Sequence, residues 1–572
     1  MNEERVVVDL DVPVTMRDGV RLRANVYRPP EGRWPVLLTR LPYGKDLAVG
    51  TAALDPVQAA RRGYVVIVQD TRGRLASEGE FRPFATEAED GVDTIAWAAG
   101  LPYSDGQVGM YGLSYFGFTQ WSAALQQPPA LKTIVPFVTW CDPLNGLAFR
   151  GGAFELGTTA HWSLQMGFDM LAREHRGDLQ RMGAAFASLV REIDELGRSG
   201  YASLPLAEFG PLRRQPMVPV LFDRVEHPMD ADALETITIA GKHGRVQVPS
   251  FNIGGWFDIF LSDTIANFVA MRQLGRPSML LIGPWLHTNH RNPVGELDFG
   301  FASQASFINL QTDMNRLQLR WFDHWLKGVD TGMLAEPPIR LFVMGANVWR
   351  DEQEWPLARA VSTPFYLRAD GGLSQEPPEA EQPDSYTYDP ADPVPTYGGA
   401  SLIAPEFPAG PVDQRRIEAR PDVLTYSTAP LERDTEVTGP LNVELWACSS
   451  APDTDFVARL VDVYPDGRAF NLTDGIIRAR HRNGASEALL EPGQPYAFNI
   501  DLWATSNVFK AGHRIRLQVT SSNFPRWDRN PNTGHPFGQD TDLRTARQTI
   551  LHDRQYPSHV LLPVVPAHCY FS

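Results

Sequence analysis

The chain has 572 residues, of which 43% are hydrophobic and 21% are charged, a composition typical of folded globular proteins. The net charge of −16 disfavours nucleic-acid or anionic-membrane partners, because binding phosphates requires a clustered basic surface. No uncharged apolar run reaches the roughly 18 residues that a membrane span needs, so we expect a soluble protein. At about 150 residues per domain, the length predicts three or four folding units.

The cysteines and the first residues bear on the cellular compartment. Cys141, Cys448 and Cys569 lie far apart, too few and too scattered for a disulfide framework or a zinc knuckle. The start, MNEERVVVDLDVPV, lacks the basic and apolar regions of a secretory signal. Both features predict a cytoplasmic location, although a leader that had already been cleaved would leave no trace.

Strand and helix signals alternate over residues 1–144. Short apolar runs predict strands at 6–9, 21–27, 35–39, 64–68, 108–111 and 133–138. Helices are predicted at 86–99, where apolar residues recur at helical spacing, and at 114–126. Thr86 and Glu89 match a capping box at the start of the first of these helices. Strands that alternate with helices indicate a parallel α/β sheet.

This alternation stops near residue 145 and resumes near residue 241. The segment between carries helical stretches and many aromatic residues. A helix in that segment, two later strands and a long later helix are predicted at 179–196, 248–253, 279–282 and 305–327. The simplest interpretation is one α/β domain formed by two segments, 1–144 and 241–350, with a helical cap inserted at 145–240.

The pattern changes again beyond residue 350. A Pro/Glu-rich stretch at 371–385 marks the change. Further strand-like runs follow at 441–447, 456–463, 515–520 and 560–564. Many short strands without helices between them are typical of a β-sandwich or a jelly roll, so residues 351–572 are predicted to form an all-β, jelly-roll-like domain.

The sharpest local motif lies around Ser114. A strand runs into Gly112-Leu113-Ser114 and a helix follows at once, which is the context of a nucleophile elbow. The usual second glycine is displaced, since Phe116 stands in its place and Gly117 comes one residue later. A serine that only caps the helix gives the same pattern, so the motif alone leaves both interpretations open.

A nucleophilic serine needs a base, and the base needs an acid that orients it. In α/β hydrolases the acid and the histidine follow later strands, in that order. Asp258 follows the first strand of the second α/β segment, and His287 follows the next strand. Asp263 is a rival acid, and a helix-capping Asp258 or a buried structural His287 are the alternatives. The pair His287 and His290 has no further ligand at metal spacing, so no metal site is expected.

Two donors are needed for the oxyanion of a tetrahedral intermediate. One is expected to be the backbone N–H of Tyr115, next to the serine. The loop after strand 35–39 contains no HGGG-type motif, but Tyr43 offers a phenol hydroxyl there. A purely structural role of Tyr43 is an equal alternative at this point.

Eight motifs together resemble one known family. They are PYGK (42–45), QDTRGRLASEG (69–79), GLSYFG (112–117), GWFD (255–258), GPWLH (283–287), GELDFG (295–300), FVMGANVW (342–349) and YDPADPVPTYGG (388–399). The set is similar to the cocaine esterase / X-prolyl dipeptidyl-peptidase family, which also includes α-amino-acid ester hydrolases. The resemblance covers nearly the whole chain, and G-x-S-Y-x-G is that family's own form of the elbow.

The resemblance implies an α/β-hydrolase domain with an inserted helical cap and a C-terminal jelly-roll-like domain. Ser114, Asp258 and His287 take the nucleophile, acid and base positions. Tyr43 and the N–H of Tyr115 take the oxyanion positions. The implied activity is that of a serine hydrolase which cleaves carboxylic esters or amides through an acyl-enzyme, with no metal and no organic cofactor. An X-Pro dipeptidyl-peptidase is the alternative, and a non-catalytic binding protein is a more remote one.

Aromatic residues of the cap and the residues after Asp258 are candidates for the acyl pocket. Trp162 and Phe260 resemble substrate-contacting positions of the esterases, and Trp140 is a third candidate. Other aromatic candidates are Phe149, Phe154 and Phe168. The acids of the cap show no sequence cluster that would hold a substrate ammonium group. We therefore expect a small-molecule ester or amide as partner, and the sequence leaves a homo-oligomer open.

Overall fold

The computed structural model describes residues 5–215, 231–404, 406–484 and 486–566. Its regular structure forms three layers: an α/β layer, a helical cap region and a β-rich C-terminal region. The strands are β1 Val7–Thr15, β2 Arg21–Arg28, β3 Trp34–Leu41, β4 Val65–Asp70, β5 Ser104–Leu113, β6 Leu131–Phe137, β7 Phe149–Arg150, β8 Ala153–Phe154, β9 Ser250–Phe257, β10 Ser278–Leu286, β11 Ile339–Val343, β12 Val348–Glu352, β13 Val361–Leu367, β14 Leu373–Ser374, β15 Asp384–Tyr388, β16 Leu424–Ser427, β17 Thr435–Ser449, β18 Asp455–Val463, β19 Ala469–Arg478, β20 Tyr496–Phe509, β21 Arg514–Thr520, β22 Ala546–Leu551 and β23 His559–Val565. The α-helices are α1 Val49–Ala52, α2 Pro56–Arg61, α3 Glu87–Ala99, α4 Tyr115–Ala124, α5 Leu156–Glu174, α6 Leu179–Leu196, α7 Gly210–Arg213, α8 Ala231–Ile237, α9 Leu261–Gln273, α10 Met314–Lys327 and α11 Arg415–Glu418.

The first layer is a ten-stranded sheet in the order β1-β2-β4-β3-β5-β6-β9-β10-β11-β12. Its centre is parallel from β4 to β11. Antiparallel strands complete both sides, β2 and β1 next to β4 and β12 next to β11. Every residue of β4 and of β9 is buried, as expected for strands covered by helices on both faces. The predicted parallel sheet is therefore present.

One predicted helix start and one predicted capping box are wrong. Helix α10 begins at Met314 rather than near 305, because Asp313 caps it by accepting from the Arg316 N–H. Helix α3 begins at Glu87, and Thr86 makes no capping hydrogen bond to any described residue, so no capping box forms.

The cap region consists mainly of the helices α5 and α6. The predicted helix 179–196 is confirmed as α6. The two helices pack on each other through a cluster that includes Leu164, Leu171 and Leu189. Residues 216–230 of the predicted cap lie outside the described residues. The division into 1–144, 145–240, 241–350 and 351–572 stays a prediction.

The C-terminal region contains two antiparallel sheets. One has seven strands (β14-β13-β23-β17-β22-β15, with β20 paired to β17) and the other has four (β16-β21-β18-β19). One large apolar cluster includes residues of both sheets and of β9 and α9, so this all-β region packs directly on the α/β layer. Among the described residues, no helix has the length and apolar character required to cross a membrane.

Candidate active site

Ser114 lies in the sharp turn between β5 and α4. Its φ of 56° and ψ of −122° are rare for a residue other than glycine and are typical of a strained nucleophile elbow. A Cβ on Gly112 would clash with the ring of Phe116, and one on Gly117 would lie 2.6 Å from the side chain of Thr139. The Ser114 side chain makes no capping hydrogen bond within the described chain, so the helix-cap interpretation is wrong.

His287 and Asp258 lie beside this serine at the same sheet edge. The Ser114 Oγ is 2.9 Å from His287 Nε2, and His287 Nδ1 is 2.6 Å from Asp258 Oδ1. The other carboxylate oxygen of Asp258 accepts from the Phe260 N–H at 3.1 Å, which fixes the plane of the carboxylate. Both partners are buried. A hydroxyl, an imidazole and a carboxylate in series can move a proton from the serine to the histidine.

Parallel strands explain why residues so far apart in sequence meet. Strands β5, β9 and β10 run in the same direction, so their carboxyl ends lie at one edge of the sheet. Ser114 follows β5, and the two partner residues follow β9 and β10. The register places Gly255 of β9 opposite Gly283 of β10, which brings the loops after these two strands to the same level.

The rival acid Asp263 faces elsewhere. It lies in the first turn of α9, where its carboxylate accepts from the Cys141 thiol at 3.4 Å and from the Asp142 N–H at 3.5 Å. Burial raises the pKa of Asp263 to about 7. His290, the second histidine of the loop, packs against Phe137 with ring centroids 4.6 Å apart. These positions leave Asp258 as the acid that contacts His287.

The buried Asp263 makes a prediction about stability. Its carboxyl has a pKa near 3.8 when solvated and about 7 in the folded protein, so between these values the folded state holds a proton that the unfolded chain releases. The contribution of this carboxyl to the free energy of unfolding is therefore expected to fall as the pH rises from about 4 to about 7. Thermal unfolding midpoints are measured at pH 5 and pH 8 for the wild type and for Asp263→Asn. The variant should lack the part of the wild-type loss of stability between pH 5 and pH 8 that is due to this carboxyl. Parallel pH profiles of the two proteins would contradict this.

Tyr43 points its phenol toward the serine region. Its Oη accepts a hydrogen bond from the Trp162 Nε1–H at 3.1 Å, and its ring makes edge contacts with Tyr115 and Phe116. Burial raises the pKa of Tyr43 to about 12, so the phenol keeps its proton and can donate it in a hydrogen bond. The N–H of Tyr115 is at the first position of α4, where a helix provides no internal acceptor.

An apolar cavity of about 50 Å³ lies beside Ser114. All three predicted substrate residues line it, namely Trp140, Trp162 and Phe260. Other apolar lining residues, which were not predicted from the sequence, are Phe84, Leu147, Ile259 and Leu402. The three remaining aromatic candidates pack elsewhere, with Phe149 and Phe154 against Phe537 and Phe168 against Phe186.

Comparisons with known proteins place this geometry in a family. Residues 18–289 match the family described as X-Pro dipeptidyl-peptidase (S15 family), and residues 331–561 match the X-Pro dipeptidyl-peptidase C-terminal non-catalytic domain. The chain is 40% identical over 574 residues to the cocaine esterase of Rhodococcus sp. (strain MB1 Bresler), across 97% of this chain and 98% of that protein. The chain belongs to the cocaine esterase / X-prolyl dipeptidyl-peptidase family. The resemblance stated from the motifs is confirmed.

Two solved structures are similar to this family member over nearly its full length. An α-amino acid ester hydrolase has a TM-score of 0.80 at 27% identity, with 98% of this chain and 97% of that chain covered. An aminopeptidase from the marine sediment archaeon Thaumarchaeota archaeon has a TM-score of 0.83 at 25% identity, with coverages of 98% and 96%. These likenesses confirm the predicted α/β-hydrolase fold with a β-rich C-terminal domain, and the chain is a serine hydrolase as predicted.

Proposed function

We propose that this serine hydrolase cleaves small carboxylic esters through an acyl-enzyme, with Ser114 as nucleophile, His287 as base and Asp258 as the orienting acid. The observation that carries this proposal is the unbroken series of hydrogen bonds, 2.9 Å from Ser114 to His287 and 2.6 Å from His287 to Asp258. His287 and Asp258 are buried, and burial strengthens the electrostatic contact between them.

The reaction proceeds in two steps. As Ser114 Oγ attacks the ester carbonyl, His287 Nε2 takes its proton, and Asp258 stabilises the imidazolium through Nδ1–H. The oxyanion accepts hydrogen bonds from the Tyr43 phenol and the Tyr115 N–H. The imidazolium then protonates the leaving alkoxide. A water molecule then enters, loses a proton to His287 Nε2 and attacks the acyl carbon. The bond from that carbon to Ser114 Oγ breaks, the imidazolium returns the proton to Ser114 Oγ, and the carboxylic acid leaves.

The tyrosine donor can be tested by removing one hydroxyl. Tyr43→Phe is expected to lower kcat by about 10²–10³-fold with little change in KM, because the lost bond forms fully only in the transition state. Steady-state kinetics on an aryl ester would measure both constants. Tyr111→Phe is the matched control, since the Tyr111 hydroxyl is buried in the sheet core without a described partner. A change mainly in KM would mean that Tyr43 binds substrate instead.

The cavity favours an apolar or aromatic acyl group over a peptide amino terminus. None of the described residues that line it is an aspartate or a glutamate. An ammonium group in such a site would lose its hydration without a carboxylate to replace it. The acids of the cap are engaged or exposed: Glu155 accepts from the Trp527 indole at 2.8 Å, Asp169 accepts from the Leu75 N–H at 3.0 Å, and Glu174 faces solvent.

This substrate preference predicts a ratio of kcat/KM values. The kcat/KM for an ester of a short or aromatic acid should exceed the kcat/KM for an X-Pro anilide. The ratio should be well above the ratio of the uncatalysed hydrolysis rates of the two substrates. The two substrates are compared with the same enzyme preparation, and an N-acetylated X-Pro anilide serves as the control. Strong activity on the X-Pro anilide that acetylation destroys would contradict the ester proposal and establish the dipeptidyl-peptidase alternative.

With the proposed division of the chain, all four segments contribute to the site. The segment 1–144 contributes Ser114, and the cap 145–240 contributes Trp162. The segment 241–350 contributes His287, and the jelly-roll-like domain 351–572 contributes Leu402.

Cys141 and Cys448 are free thiols, which supports the proposed cytoplasmic location.

A further inference from the structure

The segment 69–79, a motif that the mechanism does not use, contains a buried cation next to the oxyanion loop. Arg74 is 3% exposed. Its Nε donates to the Pro42 carbonyl at 2.9 Å, and its Nη1 donates to the Met166 carbonyl at 3.1 Å. Nη1 also lies 3.4 Å from Asp169 Oδ2, and the guanidinium lies over the ring of Phe81. One side chain therefore connects the α/β domain to the cap helix α5.

The two acceptor carbonyls have a direct relation to the site. Pro42 immediately precedes Tyr43, and Met166 lies about one helical turn after Trp162 on α5. The Trp162 indole in turn donates to the Tyr43 phenol at 3.1 Å. The contacts form a closed circuit. It runs from Arg74 to the Pro42 carbonyl, along the loop to the Tyr43 phenol, across to the Trp162 indole and along α5 to the Met166 carbonyl, which accepts from Arg74.

The other end of the same loop is also held by this segment. Asp70 Oδ1 accepts from the Lys45 N–H at 2.7 Å, so backbone groups on both sides of Tyr43 are bonded to side chains of 69–79. Of the two, only Arg74 reaches the cap helix as well. Its positive charge opposes the burial that raises the pKa of Tyr43 to about 12.

We propose that Arg74 is a positioning residue of the oxyanion hole. It donates hydrogen bonds to the backbone of the loop that carries Tyr43 and of the helix that carries Trp162, and so keeps the phenol and the indole in contact. A guanidinium suits this role because it is planar, permanently charged and able to donate along two directions at once. This inference rests on the proposed function, since it assumes that Tyr43 donates to the oxyanion.

Arg173 provides a matched control. It ties the same segment to the same helix, since its Nη1 donates to the Leu75 and Ser77 carbonyls at 3.0 and 2.8 Å and its Nη2 to the Gly79 carbonyl at 3.2 Å. Its described hydrogen bonds do not reach the loop that carries Tyr43. A general loosening of the cap would follow from the loss of either arginine, whereas a misplaced phenol would follow only from the loss of Arg74.

The experiment measures kcat and KM on 4-nitrophenyl acetate for Arg74→Met, Arg173→Met, Tyr43→Phe and the double variant Arg74→Met/Tyr43→Phe. We expect Arg74→Met to lower kcat by about 10²-fold, the scale of a misplacement of about 1 Å, with KM nearly unchanged. Arg173→Met should keep kcat close to the wild-type value. The double variant should be no slower than Tyr43→Phe alone, because Arg74 acts through that phenol.

Three outcomes would overturn the inference: equal losses of kcat in the two arginine variants, a change in KM alone for Arg74→Met, or additive losses in the double variant. If Arg74→Met does not fold, Arg74→Lys replaces it. A lysine keeps the charge but lacks the planar fork that reaches both carbonyls, so kcat should still fall, and wild-type kcat would refute the role. If Tyr43→Phe keeps full kcat, the oxyanion assignment of the proposed function fails. If Tyr43→Phe is slow and Arg74→Met is not, only the positioning role fails.

Discussion

Replacing Ser114 by alanine is expected to lower kcat for esters by about 10⁶-fold, the scale seen when the nucleophile of a serine hydrolase is removed. The hydroxyl bonds to His287 and neither caps the helix nor fills the core. Its loss should therefore leave the thermal unfolding midpoint nearly unchanged. Ester turnover and labelling by a fluorophosphonate measure the effect on the site.

A second serine of the same helix gives the control. Ser122 is buried on α4, so Ser122→Ala tests whether truncation of a hydroxyl in this element disturbs the site from a distance. This variant should retain turnover and labelling. Labelling that persists in Ser114→Ala, at any other serine, would show that the nucleophile has been assigned incorrectly.

The substitution Asp258→Asn is expected to lower kcat by about 10⁴-fold. An amide can present its NH₂ group to His287 Nδ1, which stabilises the tautomer with the proton on Nε2, where it cannot accept the serine proton. The amide also fails to stabilise the imidazolium that forms as Ser114 attacks. The geometry should survive, because the amide oxygen can still accept from the Phe260 N–H, as the carboxylate of Asp258 does at 3.1 Å.

The comparison that decides this prediction is Asp263→Asn. Its carboxylate contacts Cys141 and Asp142, so the substitution should change kcat by less than about 10-fold, the effect expected of a residue outside the proton path. Steady-state kinetics of both variants on one ester are sufficient. A nearly silent Asp258→Asn together with an inactive Asp263→Asn would reverse the assignment of the acid.

Local patterns were sufficient for much of this site. The run before Ser114 is mostly apolar, and a predicted helical stretch begins directly after it, so the strand, the turn and the helix α4 can be predicted from neighbouring residues alone. The order Ser114, Asp258, His287 could also be predicted, because residues that follow successive parallel strands lie at one sheet edge. The strand, the turn and the helix depend on interactions within a short segment, whereas the order of the three residues follows from the chain order common to α/β hydrolases.

Local patterns could not choose between Asp258 and Asp263. Both acids come shortly after β9, and both are buried. They differ in direction, since one faces His287 at 2.6 Å and the other faces Cys141 from the first turn of α9. Thr86 is a similar case: the capping sequence of Thr86 and Glu89 is present, but the Thr86 side chain makes no capping hydrogen bond to a described residue.

The walls of the acyl cavity depend entirely on packing between distant regions of the chain. Phe84 precedes α3 in a left-handed conformation with φ of 69°, and no periodicity indicates that its ring reaches the site. Leu402 comes from the β-rich region, in a segment without regular structure. Hydrophobic periodicity and turn chemistry are properties of neighbouring residues, so they sufficed for the strands of the sheet and for the strand–turn–helix around Ser114. The orientation of each acid, the contact between Trp162 and Tyr43 and the lining of the cavity arise only when the layers pack together.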